Sequence, residues 1–278
     1  MLTPLTSVAA ECRDDQTGLG AFSVIHLENA ETLVAGAEDA DRPVVLQISE
    51  NAVKFHGGDL APLAKATLHI AKDSTARVGV HLDHAKSLVL IREALALGFT
   101  SVMYDGSHLP DDENRATTAK VAHWCHDSGV TIEAELGEVG GKDGVHAPDV
   151  RTDPHDAAAF VADTGVDLLA VAVGSSHAMT TRDAELDLDL IGRLAEAVPV
   201  PLVLHGSSGV SDENMQLAIR AGMTKINVST HLNQVFTTAV RQFLADNPGV
   251  VDSRKWTKPG HEAMRAEVAR LLGLYRCN

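Results

Sequence analysis

Aromatic side chains are scarce in this chain, at 4% of 278 residues. Ala, Val, Leu and Ile must therefore fill whatever core its 45% hydrophobic content can build. Basic charge is also short: 23 Lys and Arg face 38 Asp and Glu, for a net charge of −15. That balance excludes a nucleic-acid partner, which needs a basic surface. An acidic protein that handles phosphates must concentrate positive charge locally, through a metal, backbone N–H groups or a few Arg and Lys. Cysteine is limited to Cys12, Cys125 and Cys277, with no C-x-x-C pair, so neither a zinc knuckle nor a disulfide framework is indicated. No basic segment with an apolar run opens the chain, and no stretch is apolar enough to span a bilayer. The expectation is a soluble, cytoplasmic protein without a membrane partner.

What is present is alternation. Short β-branched runs stand at Gly20–Ile25, Val44–Ile48, Val78–Asp83, Ser101–Tyr104, Thr131–Leu136, Leu168–Val173, Leu202–His205 and Lys225–Val228. Each is short and mostly apolar, as buried parallel strands are. Amphipathic helical patterns lie between them, among them Ser87–Leu97, Asp111–Ser128, Pro154–Thr164 and Asp187–Ala197. Gly98, Gly129, Gly165 and Gly222 follow helical runs where a terminating glycine belongs, and Ser211-Asp212-Glu213 has the form of a helix start. Thr230–Asp246 and Lys258–Leu272 extend the helical pattern past the last strand. Eight β-then-α units predict an α/β fold, a (β/α)8 TIM barrel with a C-terminal helical extension, spanning 1–278 as one domain. An open α/β sheet is the alternative.

In such a barrel the reactive groups gather at the C-terminal ends of the strands. Here the third strand ends in Asp83-His84, the fourth leads to Asp105, and the fifth carries Glu133-Ala134-Glu135. The sixth leads to Gly174-Ser175-Ser176-His177, the seventh to His205-Gly206-Ser207-Ser208-Gly209, and the eighth to Asn227-Val228-Ser229-Thr230. A lone His after a strand is ordinarily a loop residue; three of them with interleaved acids at one mouth are hard to explain as packing. His84, His177 and His205 are candidates to converge on one metal, since three imidazoles suit zinc and leave a position for substrate. His81 has a structural or supporting role beside Asp83. The small residues after strands 7 and 8 suit an anion site, where backbone N–H groups approach phosphate oxygens, although Gly-Ser-Ser-Gly by itself fits any tight turn.

These segments, with Val102-Met103-Tyr104-Asp105-Gly106-Ser107-His108 and Leu202-Val203-Leu204-His205, resemble the class II (metal-dependent) fructose-bisphosphate and tagatose-bisphosphate aldolase family. The resemblance runs from about Leu5 to the C-terminal helix. It implies a zinc-dependent cleavage of a ketose phosphate to dihydroxyacetone phosphate and an aldehyde, with Co²⁺ or Mn²⁺ as substitutes for Zn²⁺. His84, His177 and His205 would hold the catalytic metal, and Asp105 and Glu135 a second or displaced one. Asp83 would act as acid and base on the C4 hydroxyl. Ala178, Gly206, Ser207, Ser208 and the segment Asn227, Val228, Ser229, Thr230 would bind the dihydroxyacetone phosphate end, with Ser49 in the substrate set and Na⁺ or K⁺ beside the phosphate. Arg254 would reach the distal phosphate from a neighbouring subunit, implying a homodimer or homotetramer.

The chain departs from the family pattern at three places. Ala178 stands where Gly is usual, Ala21-Phe22-Ser23 replaces Ala-Phe-Asn, and the loop Gly140-Gly141-Lys142-Asp143-Gly144 has lost the usual Glu. Asp143 is then the expected proton donor to the enediolate. These changes bear on substrate more than on reaction class, leaving open another keto sugar or a keto-deoxy acid phosphate. The rival chemistry is a Schiff-base lysine; Lys225 opens the eighth strand and is expected near the bottom of the barrel. A metal-dependent hydrolase would not need the phosphate loops. A metal- and phosphate-binding scaffold is the non-enzyme alternative.

Overall fold

The computed structural model describes residues 1–136, 151–176 and 179–277. Eight parallel strands close into a barrel in sequence order: β1 (Leu19–Ser23), β2 (Val44–Ser49), β3 (Val78–Ala85), β4 (Ser101–Tyr104), β5 (Thr131–Glu135), β6 (Leu168–Ala170), β7 (Leu202–Leu204) and β8 (Met223–Val228). Closure is made by β1, which pairs with β2 through Gly20–Val44 and with β8 through Leu19–Lys225. The helices are α1 (Leu5–Asp14), α2 (Leu27–Ala40), α3 (Glu50–Phe55), α4 (Ala61–Asp73), α5 (Leu88–Leu97), α6 (Asp111–Asp127), α7 (Pro154–Thr164), α8 (Leu188–Ala197), α9 (Asp212–Ala221), α10 (Thr230–Asp246) and α11 (Ser253–Leu274). No helix among the described residues is long and apolar enough to cross a membrane.

Local chemistry sets these boundaries. Ser87, Asp153, Asp187 and Ser211 each accept a backbone N–H at the start of α5, α7, α8 and α9, a contribution of roughly 1 kcal/mol per cap. Gly98 and Gly165 end α5 and α7 in the left-handed conformation. Two expected boundaries move by three residues or more. β6 stops at Ala170 rather than Val173, because the next residues bond elsewhere: Ala172 exchanges hydrogen bonds with Thr152, and Val173 accepts from the Asp187 amide. α11 begins at Ser253 rather than Lys258, since Asp252 caps it and the helix carries Pro259 inside.

Two apolar layers result. Alternate strand residues such as Phe22, Leu46, Val80, Leu82 and Ile226 point outward and pack under the helices, each buried aliphatic side chain favouring the fold by roughly 1.5–3 kcal/mol. The inward set at the bottom of the barrel, Leu19, Ala21, Val45, Leu168, Ala170 and Val203, packs against Leu5, Val8, Ala9 and Cys12 of α1. Helix α1 is therefore a plug for the N-terminal end, and the sequence reading did not anticipate it. Higher in the same interior the inward residues become polar and ionisable.

Helix α11 lies against α2 through Gly36. A Cβ built there would stand 2.7 Å from Val268 Cγ1 and 2.9 Å from the Arg265 carbonyl oxygen. Gly36→Ala should destabilise the protein, because overpacking of about 1–3 kcal/mol outweighs the ~1 kcal/mol gain in helix propensity. Urea unfolding should show a lower midpoint at unchanged slope; an equal or higher midpoint would mean the two helices separate freely.

Candidate active site and metal centre

Strand alternation places Gln47 and Ser49 of β2, His81 and Asp83 of β3, Glu133 and Glu135 of β5 and Lys225 and Asn227 of β8 inside the barrel. All are buried except Ser49, which is partly exposed. At the end of β3 the alternation breaks. His84 has φ of +48°, in the left-handed region, and the pairing of β3 with β4 shifts register between Leu82 and Ala85. This bulge lets two consecutive side chains, Asp83 and His84, serve one site. A non-glycine residue held there costs of order 1–3 kcal/mol.

The ligand atoms of Asp83, His84 and His205 all lie within 4.8 Å of one another, and the two imidazole rings are 4.6 Å apart at their centroids. Carboxylates orient both rings. Asp105 Oδ2 lies 3.2 Å from His84 Nδ1, and Asp105 is itself held by the Ser107 hydroxyl at 2.6 Å. His205 is gripped on both sides, Nδ1 by Glu135 and Nε2 by Glu133, each at 3.0 Å. Burial alone would depress the His205 pKa, but these two carboxylates outweigh it and push it up to about 9. Asp83 is also buried, which opposes ionisation, yet His84, His81, Lys225 and His205 hold it below the usual aspartate range.

Beneath this group runs a buried charge chain. Lys225 Nζ lies 2.8 Å from Glu133 Oε2 and donates to Asn227 Oδ1 at 2.8 Å. Burial would raise the Glu133 pKa, but Lys225 and His205 drive it well below normal. His81 bonds Ser101 through Nδ1 at 2.7 Å; burial, with Lys225 nearby, lowers its pKa to about 3, so it is neutral. The expected place of Lys225 is corrected by this geometry: strand 8 starts at Met223, and the side chain climbs into the polar layer. Its Nζ is held between the Glu133 carboxylate and the Asn227 amide carbonyl.

The anion-type wall stands beside the metal-type group. One cavity of about 130 Å³ is lined by Asp83 and His84 together with Gly206, Ser208, Ser229 and Thr230. Gly206 has φ of +68°, and a Cβ there would meet the Ser176 backbone at 2.6 Å, so only glycine fits. Ser175 donates to the His205 carbonyl at 2.6 Å, and the Ser207 hydroxyl donates to the Asn227 carbonyl. Thr230 begins α10, whose N-terminus favours anions. The His231 amide donates to Ser208 Oγ at 3.2 Å, and the His231 ring meets Glu267 of α11 at 2.6 Å. Arg270 links Glu267 to Asp212 and so ties the loop to two helices.

The structure brings together Asp83, His84, His205, Asp105, Glu135, Gly206, Ser208, Asn227, Ser229, Thr230 and Ser49. Val228 turns its side chain into the outer core, leaving its backbone near the site. Arg254 stands exposed at the start of α11, paired with Asp252 at 2.8 Å, outside this cavity. Asp143, His177 and Ala178 lie outside the described residues. Glu133, named in the sequence at the end of strand 5 without a role, and Lys225, expected low in the barrel, both join this interior, and Gln47 was missed. The signal was available in period-two spacing, which puts Glu133 on the face of Glu135 and Lys225 on that of Asn227.

The donor set fits a divalent cation: two imidazoles and a carboxylate converge, with further carboxylates fixing the rings. Comparison with known proteins agrees. The profile of the family described as fructose-bisphosphate aldolase class-II matches residues 3–278. A fructose-bisphosphate aldolase of Geobacillus stearothermophilus is 37% identical over 275 residues, covering 96% of this chain and 94% of that one. One from Staphylococcus aureus is 34% identical over 271 residues, with 96% and 94% covered. Among solved structures, the YdjI aldolase from Escherichia coli K12 superposes with a TM-score of 0.87 at 30% identity, covering 99% of this chain and 97% of that one. Sequence match, barrel and site geometry together establish that the chain belongs to the class II fructose-bisphosphate aldolase family, a family of metal-dependent aldehyde-lyases that act on sugar phosphates.

Proposed function

We propose that the protein is a zinc-dependent ketose-phosphate aldolase, cleaving its substrate reversibly to dihydroxyacetone phosphate and an aldehyde. The observation that carries this reading is the single cavity that joins Asp83 and His84 to the anion wall of Gly206, Ser208, Ser229 and Thr230. His84 and His205, with His177, would hold Zn²⁺, for which Co²⁺ or Mn²⁺ can substitute, and Asp105 and Glu135 keep the rings aligned or take a second ion. When bound, the ion supplies Lewis-acid stabilisation of the charge that develops as the carbon–carbon bond breaks.

The chain's own residues do the rest. Gly206, Ser208, Asn227, Ser229 and Thr230, with the backbone of Ser207, Ala178 and Val228, bind the phosphate end, with Na⁺ or K⁺ beside it. Ser49 borders the sugar chain. Asp83, ionised because its cationic surroundings favour the carboxylate, removes the C4 hydroxyl proton as the aldehyde departs. Asp143 returns a proton to the enediolate carbon. Arg254 acts in a homodimer or homotetramer, reaching the distal phosphate of a neighbour's site, and the enzyme works in the cytoplasm.

A coupled assay for dihydroxyacetone phosphate across a panel of ketose phosphates tests the reading. Chelation should abolish release, Zn²⁺, Co²⁺ or Mn²⁺ should restore it, and His205→Ala should lose bound metal by elemental analysis. Full activity in a metal-free preparation would reject the proposal. Proton roles separate by isotope exchange. Asp83→Asn should block cleavage while dihydroxyacetone phosphate still exchanges protons with solvent. Asp143→Asn should slow that exchange by about 10²-fold or more, and wild-type exchange would place the donor elsewhere. Mixing Arg254→Ala with Asp83→Asn chains should regenerate active hybrid sites. No recovery after verified subunit exchange would count against a shared site.

A further inference from the structure

The two serines of the loop after β7 spend their hydroxyls differently. Ser207 donates to the Asn227 carbonyl, inside the fold. Ser208 lines the cavity that holds Asp83 and His84. Its Oγ accepts the His231 amide at 3.2 Å, and among the described residues its O–H meets no acceptor. A hydroxyl has one proton to give and two lone pairs. With a lone pair engaged by an N–H, Ser208 is left as a donor, and a donor beside this cavity suits an anionic oxygen.

His231 is held in place by a chain of charges outside the wall. Its Nε2 lies 2.6 Å from Glu267 Oε1 of α11. Arg270, one turn further along α11, grips both oxygens of Glu267 at 2.8 Å and reaches Asp212 at 2.5 Å. Asp212 opens α9 and also takes Arg182 at 2.6 Å, whose guanidinium donates to the Val210 carbonyl at 2.7 and 2.9 Å. The side chains of His231 and Glu267 are 18% and 16% exposed, so their link is largely shielded from solvent. Burial opposes ionisation of Glu267, but Arg270 and His231 hold its pKa down to about 2. One turn of α11 thus braces the segments that follow β6, β7 and β8. Attachment of the helix does not depend on this link alone. Arg265, also on α11, pairs with Asp39 of α2 at 2.6 and 2.7 Å and reaches no loop of the site.

We infer that Glu267 is a positioning residue of the phosphate subsite: through the His231 ring it holds the His231 amide on Ser208 Oγ, and so keeps the Ser208 hydroxyl free to donate to the phosphate of the ketone half of the substrate. The identity of that half rests on the aldolase reading above. The brace presets the wall before the ligand arrives, from a helix that does not itself line the cavity.

Calorimetric titration of the zinc-supplemented protein with dihydroxyacetone phosphate reads the subsite without turnover. Glu267→Ala should weaken binding about tenfold or more, the scale of a hydrogen bond to a charged group. His231→Ala keeps the amide but frees it from α11, and should do the same. Ser208→Ala should lose at least as much. Adding Glu267→Ala to Ser208→Ala should then change the affinity by less than about twofold, because the brace acts through that hydroxyl. Arg265→Gln cuts the other tether of α11 and should leave the affinity within about twofold of wild type, even where it lowers the melting temperature. Losses that add in the double variant overturn the inference, as does wild-type affinity in both Glu267→Ala and His231→Ala. Equal weakening by Arg265→Gln also overturns it, since loosening α11 anywhere would then suffice. Condensation separates this inference from the reading beneath it. A wild-type protein that binds dihydroxyacetone phosphate but condenses it with no aldehyde defeats the aldolase reading and leaves the brace to the binding data. One that does not bind it at all overturns both.

Discussion

The upper barrel interior holds more buried carboxylate than fixed positive charge, and the site is organised by how that excess is neutralised. Asp83, Asp105, Glu133 and Glu135 are each 5% exposed or less, and among the described residues the buried lysine beside them is Lys225. A buried charge without compensation costs several kcal/mol. Lys225 compensates Glu133, and His205 sits between Glu133 and Glu135 with its proton held to about 9. Asp83 and Asp105 then face His84 and the mouth. A divalent cation completes such a balance where a proton on an imidazole only approximates it. The apolar plug of α1 below and the helices outside keep water from doing the same work.

This balance explains why one end of the barrel carries strain. A regular strand would turn His84 away from Asp83, and the site needs both. The left-handed backbone at His84 and the register shift beside it are the local cost of placing a base and a ligand on consecutive residues. The same logic applies at Gly206, where the chain must pass the Ser176 backbone too closely for any Cβ. Both irregularities lie at the strand ends that border the cavity.

Most of the barrel was legible because buried parallel strands are short apolar runs and their ends are punctuated by charge. All eight strands fall where the pattern put them, and Ser87, Asp153 and Ser211 act as the helix starts their chemistry favours. What escaped was vertical position inside the barrel. Lys225 was expected low because strand 8 was taken to start at it. Two further residues precede it, and its four-carbon stem then carries Nζ to Glu133 and the Asn227 side chain. Glu133 was legible at the end of strand 5 but carried no assigned role, and Gln47 was missed, because inward-facing alternation continues one layer below the strand ends. Helix α1 escaped because it precedes the first strand, outside the repeating unit. Asp143, His177 and Ala178 lie outside the described residues, so their roles rest on the family pattern.

The central claim is that a divalent cation completes the charge balance at the convergence of Asp83, His84 and His205. The most direct measurement is an anomalous-difference map at the zinc absorption edge, from crystals grown with Zn²⁺. The account predicts a peak roughly 2.0–2.1 Å from one nitrogen each of His84 and His205, bordering the cavity lined by Gly206 and Ser208. Absence of a peak there with zinc in excess, or a peak bound by neither histidine, would contradict it.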